Sequence, residues 1–327
     1  MPKASAWPLI LAMFVTAVEA KETRYLMGSD ANVESKLSGP AHLLGGGGND
    51  ETEPFQWVID QVRGCSDCQT KLDVVVLRCS GGDDWNEFIY ALHGVDSVET
   101  LVITNREDAN SATVEQTIRE AEIIFFAGGD QCNYVRYFKG TGVEKGVERV
   151  YAKGGGVGGT SAGLAIQGSA VYDACVKESA YSPQALANPY YADINFTHDF
   201  FNWKYLEATI TDTHLSRRDR MGRFLVFIAR QIADGKYDEV LGIGVDEGTS
   251  VVVDANGQAH VMGDGAAYFV LADHKPEVCR PGVPLTYSNF KIWRRTDGGT
   301  FALKERTAAT GYYLVNVDGG KITSNPY

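Results

Sequence analysis

The chain has 327 residues, 44% hydrophobic and 22% charged, with a formal net charge of −12. That composition is ordinary for a globular protein and holds enough apolar residues for a substantial core, in one large α/β domain or two smaller ones. The acidity argues against a nucleic-acid partner, because phosphates would be repelled.

Residues 1–20 carry Lys3, an apolar run over 7–18 and a small-residue end at Val18-Glu19-Ala20. This is the layout of a secretory signal peptide cleaved after Ala20. The run is too short to span a bilayer. A secreted or periplasmic protein is therefore expected, free of the membrane after cleavage, with 21–327 as a single domain. Residues 41–44 read as a strand ending in Gly45-Gly46-Gly47-Gly48, and 55–62 have helical spacing. The β-branched run 73–77 predicts a buried strand, 85–92 a helix, 98–104 a strand and 114–120 a short helix. Residues 122–127 form another apolar strand followed by glycines, a helix runs from Asn133 onward, and 155–159 lead into a turn. Such strand–helix alternation predicts a three-layer α/β/α fold with a mostly parallel central sheet, whose ligand site lies beyond the carboxyl ends of the strands. From about residue 248 the pattern shortens to strands over 248–254, 259–262, 266–271 and 312–317, a β-rich C-terminal extension.

Gly159-Thr160-Ser161-Ala162-Gly163 is a G-x-S-x-G element between a strand-like and a helix-like run. Glycines permit the sharp turn that lifts the serine above a sheet, and the N–H of Ala162 is then aimed at an oxyanion. A glycine-rich turn cradling phosphate is the competing reading. Serine needs a base. Of six histidines, His214 alone follows a strand-like run (206–210) and precedes a helix expected to start at a capping box, Ser216-Arg217-Arg218-Asp219. Arg217, Arg218, Arg220 and Arg223 are either a solvated helix face or a carboxylate pocket, since guanidinium forks match carboxylates. Asp246 and Glu247 at a strand end, or Asp212, could orient the base. The order serine, histidine, acid differs from that of ordinary lipases and esterases.

Six cysteines stand at 65, 68, 79, 132, 175 and 279. In an exported protein disulfides are possible, but connectivity is not readable from sequence. Cys65 and Cys68 suit a local bridge or free thiols better than a redox or zinc site.

Several motifs together resemble the cyanophycinase / dipeptidase E serine peptidases, whose fold is related to class I glutamine amidotransferases. They are Gly45 to Gly48, Leu77-Arg78-Cys79-Ser80-Gly81 with Trp85-Asn86, and Phe126-Ala127-Gly128-Gly129-Asp130-Gln131. The G-x-S-x-G element, Asp212-Thr213-His214 with its arginines, and Gly244-Val245-Asp246-Glu247 complete the set. The resemblance implies Ser161 as nucleophile, His214 as base, Glu247 as orienting acid, and Gly129 beside Ala162 in the oxyanion hole. It implies that Gln131, Asp212, Thr213, Arg218, Arg220 and Arg223 hold a peptide or cyanophycin-like substrate, with no metal or cofactor. Cyanophycinases release β-Asp-Arg dipeptides from a poly-aspartate carrying arginine side groups. A homodimer is expected for this fold. Alternatives are a dipeptidase E-like hydrolase of small Asp-X peptides, or an inactive secreted binding protein on the same fold. Thr213 stands where the family usually has glutamine, and Leu215 where phenylalanine is usual. Residues 171–205, rich in Tyr and Asn, look longer than in compact members and suit a lid or partner surface.

Overall fold

A computed structural model describes residues 23–48, 52–176 and 178–327, so the expected signal peptide lies outside the described residues. The strands form two sheets. In the first, five strands run parallel in the order Val95–Val102, Leu72–Arg78, Ile123–Phe126, Gly156–Thr160 and Ala41–Gly45. Antiparallel strands close both sides, Thr23–Gly28 against Val95–Val102 and Thr249–Val253 against Ala41–Gly45. The second sheet has a short parallel centre, Val240–Val245 beside Thr209–Thr213 beside Ala170–Tyr172, extended by antiparallel strands that include the 13-residue Val283–Arg295. The α/β class with a mixed, mostly parallel sheet and a β-rich C-terminal part is thus as expected. The C-terminal strands do not form a separate layer: Thr249–Val253, Gln258–Gly263 and Thr300–Ala302 continue the first sheet, and the others continue the second.

Alternation along each strand explains the layering, because successive side chains point to opposite faces. Val74, Val76, Ile123 and Phe125 pack under Phe55, Val58 and Ile59 of the helix Thr52–Arg63. Val75, Leu77, Ile124 and Phe126 point the other way, onto the helices Ala112–Glu120, Gln131–Phe138 and Gly142–Ala152. The second sheet shares that core through Leu241, Ile243, Val245 and Phe269. Its far face, Val240, Tyr268 and Val270, meets the helix Met221–Ala233. Gly242 and Gly244 let this helix lie close: a Cβ on Gly242 would stand 2.4 Å from Ile228 Cδ1.

The helix Met221–Ala233 is buried on nearly every side, more than its apolar stripe predicts. Residues 171–205 supply the extra cover. Tyr172 stacks on Phe227 with ring centroids 4.4 Å apart, and the helix Ser182–Ala187 packs against Gly222. The expected helix start at Ser216 is corrected. Residues 215–219 form turns, and the helix begins at Met221, because Asp219 adopts a left-handed φ of 46° that breaks helical continuation. Ser216 instead gives its N–H to Asp246 Oδ1 at 2.8 Å.

Candidate active site

Ser161 terminates the strand Gly156–Thr160 and opens the short helix Ala162–Ala165. Its backbone sits at φ 53°, ψ −114°, outside the regions most residues favour. The surroundings enforce this conformation. Ser161 N–H donates to Gly45 O at 3.0 Å, while Leu164 and Ala165 N–H groups converge on Ser161 O. The two glycines are required by contact: a Cβ on Gly163 would lie 2.1 Å from Phe126 O, and one on Gly159 would lie 2.7 Å from the Gly163 carbonyl carbon.

His214 leaves the strand Thr209–Thr213 at a left-handed φ of 51°, which turns its ring toward Ser161. Its Nε2 lies 2.8 Å from Ser161 Oγ, and its Nδ1 lies 2.7 Å from Glu247 Oε1. A carboxylate can only accept, so Nδ1–H donates to Glu247 and leaves Nε2 to accept the serine hydroxyl proton. Of the three acids open from sequence, the structure brings Glu247 to the histidine. Asp246 accepts from Ser216 and Ala266 N–H, and Asp212 pairs with Arg223. The ring is held below the usual histidine range by burial first, with Arg218 and Arg220 acting in the same direction against the Glu247 hydrogen bond. Glu247 is held below its usual range, chiefly by its hydrogen bond to His214. The imidazole is therefore neutral near pH 7, and the carboxylate charged.

The glycine run 45–48 passes directly beneath this chain of residues. A Cβ on Gly47 would stand 2.2 Å from His214 Cε1, and one on Gly46 would stand 1.9 Å from Asp246 O. Gly46 O accepts the His214 N–H, and Gly47 O accepts the Gly248 N–H, so the run ties His214 and the segment carrying Glu247 to one backbone. Nothing in the local pattern around 45–48 indicated this contact; it joins segments about 170 and 200 residues away in sequence.

A cavity of about 270 Å³ opens beside Ser161, lined among others by Gly129, Gln131, Ala162, Asp212, Thr213 and Arg218. Gly129 has φ +147°, and a Cβ on its neighbour Gly128 would lie 3.5 Å from Ser161 Cβ. Arg220 and Arg223 also line the cavity, but they are already engaged. Arg223 is buried, forks onto both Asp212 oxygens at 2.6 and 2.8 Å, and reaches Ser179 Oγ and Ala180 O. Arg220 donates to Thr213 O and Oγ1, and burial lowers its pKa to about 10. Arg218 is half exposed, with Nε 3.8 Å from Glu247 Oε1. In the Leu77-to-Gly81 motif, Arg78 clamps its own loop through Ser80 O, Gly82 O and Asp84.

Residues 86–261 match Peptidase family S51. The chain belongs to this family. As a member of Peptidase family S51 it is a serine-type peptidase, and the matched span contains Ser161, His214, Glu247 and the arginines. The chain is 26% identical over 234 residues to a cyanophycinase of Nostoc sp., covering 70% of this chain and 72% of that protein. It is 27% identical over 178 residues to a cyanophycinase of Synechococcus elongatus, covering 54% and 50%. A peptidase from an acI-B1 Actinobacterium superposes with a TM-score of 0.55 at 17% identity, over 82% of this chain and 98% of that one, and shares the fold.

Some pocket residues escaped the sequence reading. Glu178 and Ser179 line the cavity from a loop between the strands Ala170–Tyr172 and Phe196–His198. Cys175 in this loop pairs with Cys132, 43 residues away, and Cys65 pairs with Cys68. The tyrosine- and asparagine-rich composition of 171–205 marked the segment without indicating its contacts.

Proposed function

We propose that the chain is an exported peptidase that hydrolyses aspartyl peptides, cyanophycin among them with β-Asp-Arg dipeptides as product, through an acyl-enzyme on Ser161. The observation that carries the reading is the hydrogen-bonded line Ser161–His214–Glu247, at 2.8 and 2.7 Å, opening on an arginine-lined cavity. His214 Nε2 takes the Ser161 proton as Oγ attacks the substrate carbonyl carbon. The same proton passes to the leaving amine as the C–N bond breaks, and water then hydrolyses the ester by the reverse proton path. The N–H groups of Gly129 and Ala162 stabilise the oxyanion; one such donor contributes about 2.7–4 kcal/mol. Arg218 is the cation best placed to meet an aspartyl carboxylate, because it is the most exposed of the three and its contact with Glu247 is long at 3.8 Å, whereas Arg220 and Arg223 are hydrogen-bonded to the protein. Likeness to cyanophycinases supports the substrate class. Two disulfides suit an oxidising compartment, which supports export.

The deciding experiment incubates the purified protein and Ser161→Ala with cyanophycin and follows β-Asp-Arg by mass spectrometry. Release by the wild type alone is expected. Equal release by the variant would remove Ser161 from the reaction. The cavity of about 270 Å³ favours small Asp-X peptides as a second reading, since it lies just under the range of about 300–1,000 Å³ typical of small-molecule pockets. Fluorophosphonate labelling of Ser161 without release from cyanophycin would select that alternative.

A further inference from the structure

The charges around the catalytic cavity are almost all paired within the protein. Asp212 holds Arg223 at 2.6 Å and lies 3.8 Å from Arg220, which also donates to Thr213; Arg218 stands 3.8 Å from Glu247, and Asp130 caps the helix Gln131–Phe138 by accepting from Cys132 N–H. Glu178 is different. It lines the same cavity, is exposed, and makes no hydrogen bond or ion pair among the described residues. It is thus the carboxylate there with both oxygens uncommitted, so it can meet a ligand cation without disturbing an internal contact.

Its loop is held on both sides. Cys175 is cross-linked to Cys132, and the immediate neighbours of the two half-cystines, Ala174 and Gln131, both line the cavity. On the other side of Glu178, Arg223 Nη1 donates to Ser179 Oγ at 2.7 Å and to Ala180 O at 3.1 Å. The cross-link therefore joins the two walls of the cavity, one leading from the Gly128-Gly129 segment and one carrying Glu178.

Deepening the peptidase reading above, and resting on it, we propose that Glu178 is a specificity-determining residue that takes a cationic group of the substrate, and that the Cys132–Cys175 disulfide is its positioning element. A charge-assisted pair is stronger than a neutral hydrogen bond, so the preference should follow charge and not shape.

The test compares aspartyl-arginine peptides, α- and β-linked, with their citrulline counterparts, which keep the shape and lose the charge. For the wild type, kcat/KM should favour arginine by about tenfold or more, and Glu178→Gln should abolish that preference. The double variant Cys132→Ser/Cys175→Ser should lose the same preference, with the loss appearing in KM more than in kcat. Fluorophosphonate labelling of Ser161 reports the nucleophile separately in each protein. A Glu178→Gln enzyme that keeps its arginine preference overturns the assignment, as does a wild type that labels but shows no preference or cleaves neither peptide. A disulfide-free enzyme that labels and retains the preference overturns the positioning role. Absence of labelling in the wild type would instead sink the Ser161 reading beneath the proposal.

Discussion

At Gly47 the catalytic geometry depends on a missing side chain. A methyl group there would meet His214 Cε1 at 2.2 Å, and the residue holds φ +93°, which L side chains rarely adopt. Gly47→Ala should therefore displace the imidazole, and a misplacement of about 1 Å costs on the order of 100-fold in rate. The expected result is a fall in kcat/KM of that size with a folded protein by circular dichroism; an unchanged rate would show that the ring position is not limiting. His214, the proposed base, also has a pH signature. It must be neutral to accept a proton, and burial with Arg218 and Arg220 holds it below the usual histidine range. The acid limb of fluorophosphonate labelling should thus lie below about pH 6.5. Removing a nearby positive charge favours protonation, so Arg218→Gln should move that limb upward. A limb that stays in place would show that Arg218 does not act on His214.

The helix Met221–Ala233 and the strand Thr209–Thr213 are joined by the Asp212–Arg223 pair, with both side chains nearly inaccessible at 4% and 2% exposure. Removing one member of such a pair costs about 3–5 kcal/mol when the other is left without a partner; here Arg220 Nη1 remains 3.8 Å from Asp212 Oδ1, so the lower end of that range is expected, whereas replacing both partners with apolar residues is often close to neutral. Arg223→Met should lower stability by that amount in urea, and adding Asp212→Leu should restore much of it. A small effect of the single variant would mean that water reaches the pair. Arg223 also carries the loop containing Glu178, so substrate affinity should fall in both proteins even where stability returns.

Across the whole molecule, the two sheets share one core, and His42 lies buried within it between Tyr151 and Trp203, with ring centroids 4.7 and 5.4 Å away. Neither ring nitrogen makes a well-formed hydrogen bond; the Val157 backbone acts on the ring but only weakly opposes burial. Burial lowers the His42 pKa to about 3. The folded state thus favours the neutral ring while the unfolded chain binds a proton near pH 6.5. The contribution is complete above that pH and is lost as pH falls toward 3, at up to about 1.4 kcal/mol per pH unit. His42→Phe should flatten the decline in thermal midpoint between pH 6 and 4. An unchanged pH profile would assign acid sensitivity to other groups.

The strand–helix alternation, the turn at Ser161 and the strand-end position of His214 were legible in the sequence because each depends on neighbours within about ten residues: β-branched runs, paired glycines, a polar step after an apolar strand. The C-terminal strands were legible as strands, but their division between two sheets was not, since period-2 patterning does not say which edge a strand joins. The helix start at Met221, and not at Ser216, was not legible because the local capping pattern does not reveal the left-handed backbone at Asp219 or the tertiary hydrogen bond from Ser216 N–H to Asp246. The sequence by itself determined the family, the sharp turn at Ser161 and the strand-end position of His214. Tertiary structure alone decided that Glu247 and not Asp246 meets His214, that Gly47 lies beneath the ring, that Arg223 pairs with Asp212, and that Cys132 joins Cys175. All of these are contacts between side chains or backbone far apart in the chain, where local propensity carries no information and only the packing of the two sheets brings the partners together.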